Sequence, residues 1–127
     1  MVPPSYPQDV NLTPVSIGIG DSIRLFVDTA SVSRANDFIW RMTLVVESSS
    51  GNRNVMFEGV RCETRQFKTV AVTGPDKTLV RVNNARWQDV THVPTNNFRL
   101  HIFKYLCDDA LSIRSPQDFL RRIKDQN

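Results

Sequence analysis

The two cysteines of the chain constrain its fold more than any other residues. Cys62 and Cys107 are the only cysteines among 127 residues, so the chain can form a single internal disulfide. Each of them closes a segment with the apolar pattern of a β-strand, and a proline-rich stretch typical of exported proteins precedes the domain; both features favour the bridge. A bridge that closes a loop of about 45 residues would lower the conformational entropy of the unfolded chain, which stabilises the fold by roughly 4 kcal/mol. Two unrelated buried thiols are the alternative.

The longest strand signal covers residues 38–48. Apolar side chains recur there at every second residue, which is the period of a strand with one buried face: Trp40, Met42, Leu44 and Val46. The stretch 48–52, SSSGN, reads as a hairpin turn in which Gly51 can take a positive φ. Residues 53–63 therefore pair with 38–48 as an antiparallel partner. Within this second strand, Glu58-Gly59 indicates a bulge or a point of close approach.

The same alternation of apolar residues, together with residues typical of turns, predicts further strands. We expect strands at 22–28, 66–72 and 78–82, the last two joined by the turn Gly74–Lys77. The stretch 98–107, FRLHIFKYLC, is predicted as the last strand, because Phe98, Leu100 and Ile102 alternate with polar or outward residues, although its length also allows a helix.

The chain ends in a predicted helix at residues 116–125. Ser115 can cap it, Pro116 suits the first helical position, and Asp118 lies in the positively polarised first turn. Phe119, Leu120 and Ile123 form the apolar stripe that would pack on the sheet.

These elements predict one α+β domain. It consists of a mostly antiparallel β-sheet of five or six strands, a C-terminal helix packed on the sheet, and one disulfide. Residues 1–16, which hold four of the seven prolines, form a flexible proline-rich arm, and residues 17–127 form a single β-rich domain that includes the helix.

Composition argues against several classes of function. The net charge of +3 is spread along the chain, whereas nucleic-acid binders cluster their cations, so we expect no nucleic-acid partner. No C-x-x-C motif is present, and His92 and His101 are isolated, so we expect no metal and no cofactor. Asp108-Asp109 is the sole adjacent acidic pair, and neighbours in sequence point in different directions. We therefore expect no enzyme.

The candidate contact residues lie late in the chain. Trp87, flanked by Arg86, could anchor a partner, and His92 could reach a ligand from the following loop. Packing of Trp87 over the sheet is the alternative, and Trp40 is expected in the core. A small-ligand protein or an enzyme with a pocket near residues 83–97 is the second functional hypothesis. Homodimerisation through an exposed edge strand is the third.

Four stretches of the chain carry a family resemblance: FVDTASVS (26–33), WRMTLVVESSSGNRNVMFEGVRCETRQFK (40–68), ARWQDV (85–90) and YLC (105–107). With them the sequence resembles the CNP-one-like (CNP1-like) family of exported proteins of Gram-negative bacteria, many of them predicted lipoproteins. The resemblance covers roughly residues 22–110 and is most specific at 43–62. Spacing alone gives a looser likeness to lipoproteins of the surface-adhesin protein E type.

The resemblance implies a cell-envelope location, periplasmic or at the outer membrane. It implies no catalytic residues that could be carried over. The expected function is therefore a non-catalytic envelope domain, with its signal peptide removed, that binds a protein or an envelope component. A lipid-modified cysteine upstream of residue 1 would be the only attachment to the membrane.

Overall fold

A computed structural model of the chain describes residues 1–17, 22–90, 98–107 and 115–125. After a short 3-10 turn at Asp9–Asn11, the described residues form eight strands and two helices. They are β1 (Leu12–Val15), β2 (Ile23–Asp28), β3 (Ser33–Arg34), β4 (Trp40–Ser48), β5 (Arg53–Arg61), β6 (Gln66–Gly74), β7 (Thr78–Arg81), β8 (Gln88–Asp89), α1 (Phe98–Leu106) and α2 (Pro116–Asp125).

The strands form one antiparallel sheet with the order β1-β2-β4-β5-β6-β7. The two-residue strands lie off this path, β3 beside β4 and β8 beside β6. At the centre, β4 and β5 pair from Trp40↔Val60 to Glu47↔Arg53 across the predicted hairpin, where Gly51 has a φ of 90°. The predicted fold class, a mostly antiparallel sheet with a C-terminal helix and one disulfide, is confirmed.

Different parts of the chain pack on the two faces of the sheet. Side chains of one parity on β4, from Trp40 to Leu44, join the main core with α1 and α2. The opposite parity, represented by Val45 and Val55, packs with residues of the N-terminal segment such as Tyr6. The stretch predicted as an arm thus supplies the edge strand β1 and contacts the sheet, while its flexibility stays a prediction.

The prediction of a strand at residues 98–107 is wrong, because this segment forms α1. Phe98 and Ile102 do alternate as in a strand, but Ile102 and Phe103 are both fully buried. Adjacent strand residues point to opposite faces, so a strand could not bury both against one core. Helical spacing places Phe98, Ile102 and Leu106 on one side, and all three join the core. His101 is half-buried on this helix.

The predicted C-terminal helix is confirmed as α2. The backbone N–H of Asp118 donates to Ser115 Oγ at 3.2 Å, which is the expected N-cap bond. Phe119 and Ile123 are fully buried, and the Phe119 ring lies 6.3 Å from that of Trp40. Trp40 is 3% exposed, so its predicted place in the core is also confirmed.

The disulfide Cys62–Cys107 joins the residue after β5 to the residue after α1, with their Cα atoms 5.2 Å apart. It ties the central sheet to the helix that crosses one of its faces. Neither helix of the described residues is long and apolar enough to cross a membrane.

Candidate functional site

Gly59 lets two side chains approach the backbone of the central strand β5. A Cβ added at this residue would lie 2.8 Å from Met1 Cε and 3.2 Å from Trp87 Cη2. The predicted close-approach point is therefore confirmed. A register shift also occurs there, between Phe57 and Glu58.

Two cations lie over the ring of Trp87. The Cζ atom of Arg61 is 3.9 Å from the ring centroid, and the Nζ atom of Lys68 is 5.7 Å from it. Lys68 is the cross-strand partner of Gly59, and Arg61 lies two residues further along β5, so β5 and β6 present both cations on one face. We call Arg61, Lys68, Trp87 and the exposed Arg86 the Trp87 surface.

Among the residues that the structure describes, no carboxylate neutralises these two cations. Within the described ranges, no carboxylate oxygen lies within ion-pair distance of Arg61 or Lys68. The half-buried Trp87 ring holds both side chains by cation–π contacts, which leave the guanidinium and ammonium N–H groups able to donate to a ligand.

A cleft of about 560 Å³ opens beside the disulfide and shares Arg61 with the Trp87 surface. We call it the disulfide cleft. The residues that matter for its chemistry are Arg34, Phe38, Trp40, Arg61 and Glu63, together with the disulfide itself. Arg34 Cζ lies 5.0 Å from the Phe38 ring centroid and 5.3 Å from that of Trp40.

One acidic group of this cleft is already paired. The Arg41 guanidinium donates to both carboxylate oxygens of Asp37, at 2.8 and 3.3 Å. These hydrogen bonds, with one from the Ile39 N–H, hold the pKa of Asp37 below its usual range. Asp37 therefore stays ionised and engaged with Arg41, and it does not pair with Arg34.

The sequence analysis missed a buried ion pair on the other face of the sheet. Glu58 is fully buried, and its two oxygens accept from Arg99 Nε and Nη2 of α1, at 2.9 and 2.6 Å. Thr69 Oγ1 donates to the same carboxylate at 2.7 Å. Arg99 also stacks on Phe67, with Cζ 3.9 Å from the ring centroid. Because both oxygens of Glu58 are occupied, this pair is structural.

The signal that could have revealed this pair is helical spacing. Arg99 precedes Ile102, Phe103 and Leu106 by three, four and seven residues, which places it on the buried face of a helix.

A second cleft, of about 520 Å³, opens beside Arg99 and Phe98. Since Glu58 already balances the charge of Arg99, the described residues that line this cleft offer no free cation to an anionic ligand.

Comparison with protein families identifies the chain. Residues 1–124 match the CNP1-like family. The chain belongs to this family. The match extends beyond the stretch 22–110 of the predicted resemblance and includes the N-terminal segment and most of α2. No curated protein and no solved structure matches the chain. The function of this CNP1-like chain therefore has to be argued from its own surface.

The CNP1-like chain brings some of its predicted contact residues together. Trp87 contacts Arg61, which the sequence analysis did not select, and its neighbour Arg86 is exposed just before β8. His92 and Asp108-Asp109 lie outside the described residues. The described part of the chain holds no cluster of three or more His, Cys, Asp or Glu side chains that could bind a metal.

The predicted alternative, a pocket near residues 83–97, can be compared with a cleft of about 230 Å³ next to Val82 and Ala85. Met1, Lys68 and Arg81 contribute to its walls, and neither Trp87 nor a described carboxylate does. A small-ligand or catalytic role for this region stays a prediction.

Proposed function

We propose that this chain is a non-catalytic domain of the bacterial cell envelope that binds an acidic protein or envelope component through the Trp87 surface. The observation that carries the proposal is the Trp87 ring, which is half-buried and lies under Arg61 and Lys68, two cations without a described carboxylate partner.

A tryptophan in contact with an arginine and a lysine has the amino-acid composition that is typical of the centre of a protein interface. Tryptophan and arginine dominate the energetics of protein interfaces, because each combines a large contact area with hydrogen-bond donors. The ring contacts hold Arg61 in place before a partner arrives, so less side-chain entropy is lost on binding. Unneutralised positive charge selects a partner with acidic groups.

The proposed location rests on the disulfide. A bridge such as Cys62–Cys107 persists in oxidising compartments and is rare in the bacterial cytosol. This supports a periplasmic or outer-membrane location, with a lipid anchor upstream of residue 1 as the proposed attachment. The non-catalytic role is supported by Glu58, a fully buried carboxylate whose two oxygens are engaged by Arg99 and Thr69 and are not available to a substrate.

Two charge-matched double variants test this function. Arg61→Gln with Lys68→Gln removes two cations from the Trp87 surface, and Arg121→Gln with Lys124→Gln removes two exposed cations from α2. Calorimetric titration with polyglutamate at low salt measures the affinity of each. We expect the first pair to raise the Kd about fivefold or more relative to the second, given the worth of exposed charge pairs. Equal affinity of the two double variants would overturn the proposal.

A further inference from the structure

The disulfide cleft carries two cations that the fold leaves available. Arg34 is exposed, and neither it nor Arg61 forms an ion pair with a carboxylate of the described residues. Asp37 is engaged by Arg41, and Glu63 is exposed at the cleft without a described ion-pair partner. The two arginines and two carboxylates that line the cleft sum to zero, but Arg41 outside the lining engages Asp37, so the two cations face Glu63 alone.

Phe38 gives the cleft an exposed apolar wall at a strained backbone position. The residue is 69% exposed, and its φ is +62°. A bulky aromatic residue in the left-handed region carries a conformational cost, and such residues cluster at ligand clamps. Contact of the exposed Phe38 ring with water does not offset this conformational cost. A ligand that packs on the ring would gain contact area.

The far side of the cleft is fixed by the disulfide. Cys62 and Cys107 line it together with Leu106, so the end of β5 and the end of α1 are held at a constant separation. Arg61 therefore projects from a covalently tied frame, and Arg34 is positioned against two aromatic rings. Both guanidinium groups are preorganised, which favours recognition of a carboxylate by charge-assisted hydrogen bonds.

We propose that the disulfide cleft binds an acidic segment of a protein partner in which a carboxylate side chain stands next to an aromatic or large aliphatic one. The carboxylate lies between Arg34 and Arg61, and the apolar side chain packs on Phe38. This proposal rests on the proposed function, because Arg61 also belongs to the Trp87 surface. A volume of about 560 Å³ is large enough for a few side chains of one segment.

A protein segment fits this cleft better than a membrane surface. Lipid headgroups in a bilayer form an extended layer that meets protruding cations, whereas this cation pair lines a concave cleft between aromatic rings and the disulfide. A peptide side chain can enter such a space.

The test uses three short peptides with blocked ends. The first alternates Asp and Phe, the second has Asn in place of Asp, and the third has Gly in place of Phe. Calorimetry on the oxidised full chain compares the wild type with Arg34→Gln, and with Arg121→Gln as the charge-matched control. We expect the Asp-Phe peptide to bind best and its Kd to rise about two- to fivefold for Arg34→Gln alone. If Arg34→Gln and Arg121→Gln bind this peptide equally well, the proposal is overturned.

Phe38→Asn separates binding from structure. Asparagine tolerates a positive φ, so this variant relieves backbone strain while it removes the apolar wall. We expect a higher melting temperature together with weaker binding of the Asp-Phe peptide. A lower melting temperature with unchanged binding would show that Phe38 only packs, and would contradict the proposal.

Three further outcomes are decisive. If Arg34→Gln has no effect while the Arg61/Lys68 double variant still weakens polyglutamate binding, the cleft proposal fails and the proposed function stands. If neither Arg34→Gln nor the Arg61/Lys68 double variant weakens binding, the cleft proposal and the proposed function are both refuted. Arg34-dependent binding to phosphatidylglycerol vesicles, without binding of the Asp-Phe peptide, would replace the protein segment by a lipid surface.

Discussion

At the scale of single residues, the Glu58–Arg99 pair carries the largest electrostatic consequence. Both side chains are at least nine-tenths buried, and the pair joins the centre of the sheet to α1. Burial costs each ion its hydration, so the pair is stable only while both partners and the Thr69 hydrogen bond are present. Removal of one partner leaves an uncompensated charge in the core.

Arg99→Leu is therefore expected to destabilise the fold strongly. The free energy of unfolding should fall by about 3–5 kcal/mol, because Glu58 loses its counter-charge inside the protein. Urea denaturation of the oxidised protein measures this. The exposed pair Arg121–Asp118 supplies the control, and Arg121→Leu should change stability by less than about 1 kcal/mol. Similar losses for the two variants would contradict a buried ion pair.

Asp28 makes stability depend on pH. It is 3% exposed at the end of β2, and burial raises its pKa, an effect that a hydrogen bond from the Ala30 N–H offsets in part. The unfolded chain therefore loses the Asp28 proton at a lower pH than the folded chain. As the pH rises through the range above the usual aspartate pKa, this residue lowers the free energy of unfolding.

Asp28→Asn should remove that dependence. The amide oxygen can still accept from the Ala30 N–H, and the side chain no longer ionises. Urea unfolding at pH 3 and pH 7 should show that the variant gains stability over the wild type at pH 7 and gains less at pH 3. A difference that is the same at both pH values would mean that ionisation of Asp28 costs nothing in the folded state.

At the scale of elements, the spacing of apolar residues predicts the elements that form between residues close in the sequence. The hairpin of β4 and β5 follows from alternating apolar residues and a glycine at a positive φ, and α2 follows from Ser115, Pro116 and an apolar stripe. The segment of α1 has the pattern of a strand as well, because Phe98, Leu100 and Ile102 alternate over three positions. Its helical face is marked by Phe98, Ile102 and Leu106, which recur at every fourth residue and are all buried.

The cap of α2 gives a prediction at this scale. Ser115→Ala removes the acceptor for the Asp118 N–H and should cost about 1 kcal/mol of stability, measured by urea denaturation. Ser115→Asp keeps an acceptor and should stay within a few tenths of a kcal/mol of the wild type. If alanine and aspartate behave alike, the hydrogen bond does not stabilise the helix.

At the scale of the whole molecule, the disulfide and the candidate site depend on contacts between distant residues. Arg34, Arg61 and Cys107 meet at one cleft although they lie in three separate parts of the chain. The sequence could predict the bridge, since two cysteines allow one pairing. Trp87 as a surface contact stays a prediction, and its ring packs over Gly59 of the sheet. The sequence could not show that Arg61 and Lys68 share that ring, because this contact depends on sheet register.

Removal of the bridge should weaken the whole domain. The double variant Cys62→Ser, Cys107→Ser is expected to lose about 4 kcal/mol of unfolding free energy, since the bridge closes a loop of 45 residues. Urea denaturation of the variant and of the wild type, each with and without reductant, checks this. Reductant should destabilise the wild type alone. A wild type that does not respond to complete reduction would show that the bridge contributes no stability.

The most direct test of the central claim is a nuclear magnetic resonance titration of the oxidised protein with polyglutamate. The account predicts that the indole N–H signal of Trp87 and the amide signals around Arg61 and Lys68 shift and saturate together. The amides of Arg121 and Lys124 on α2 should shift less, although these two side chains are equally exposed to solvent or more so. Shifts that follow surface charge everywhere, with no preference for Trp87, would contradict the claim that this chain binds an acidic partner there.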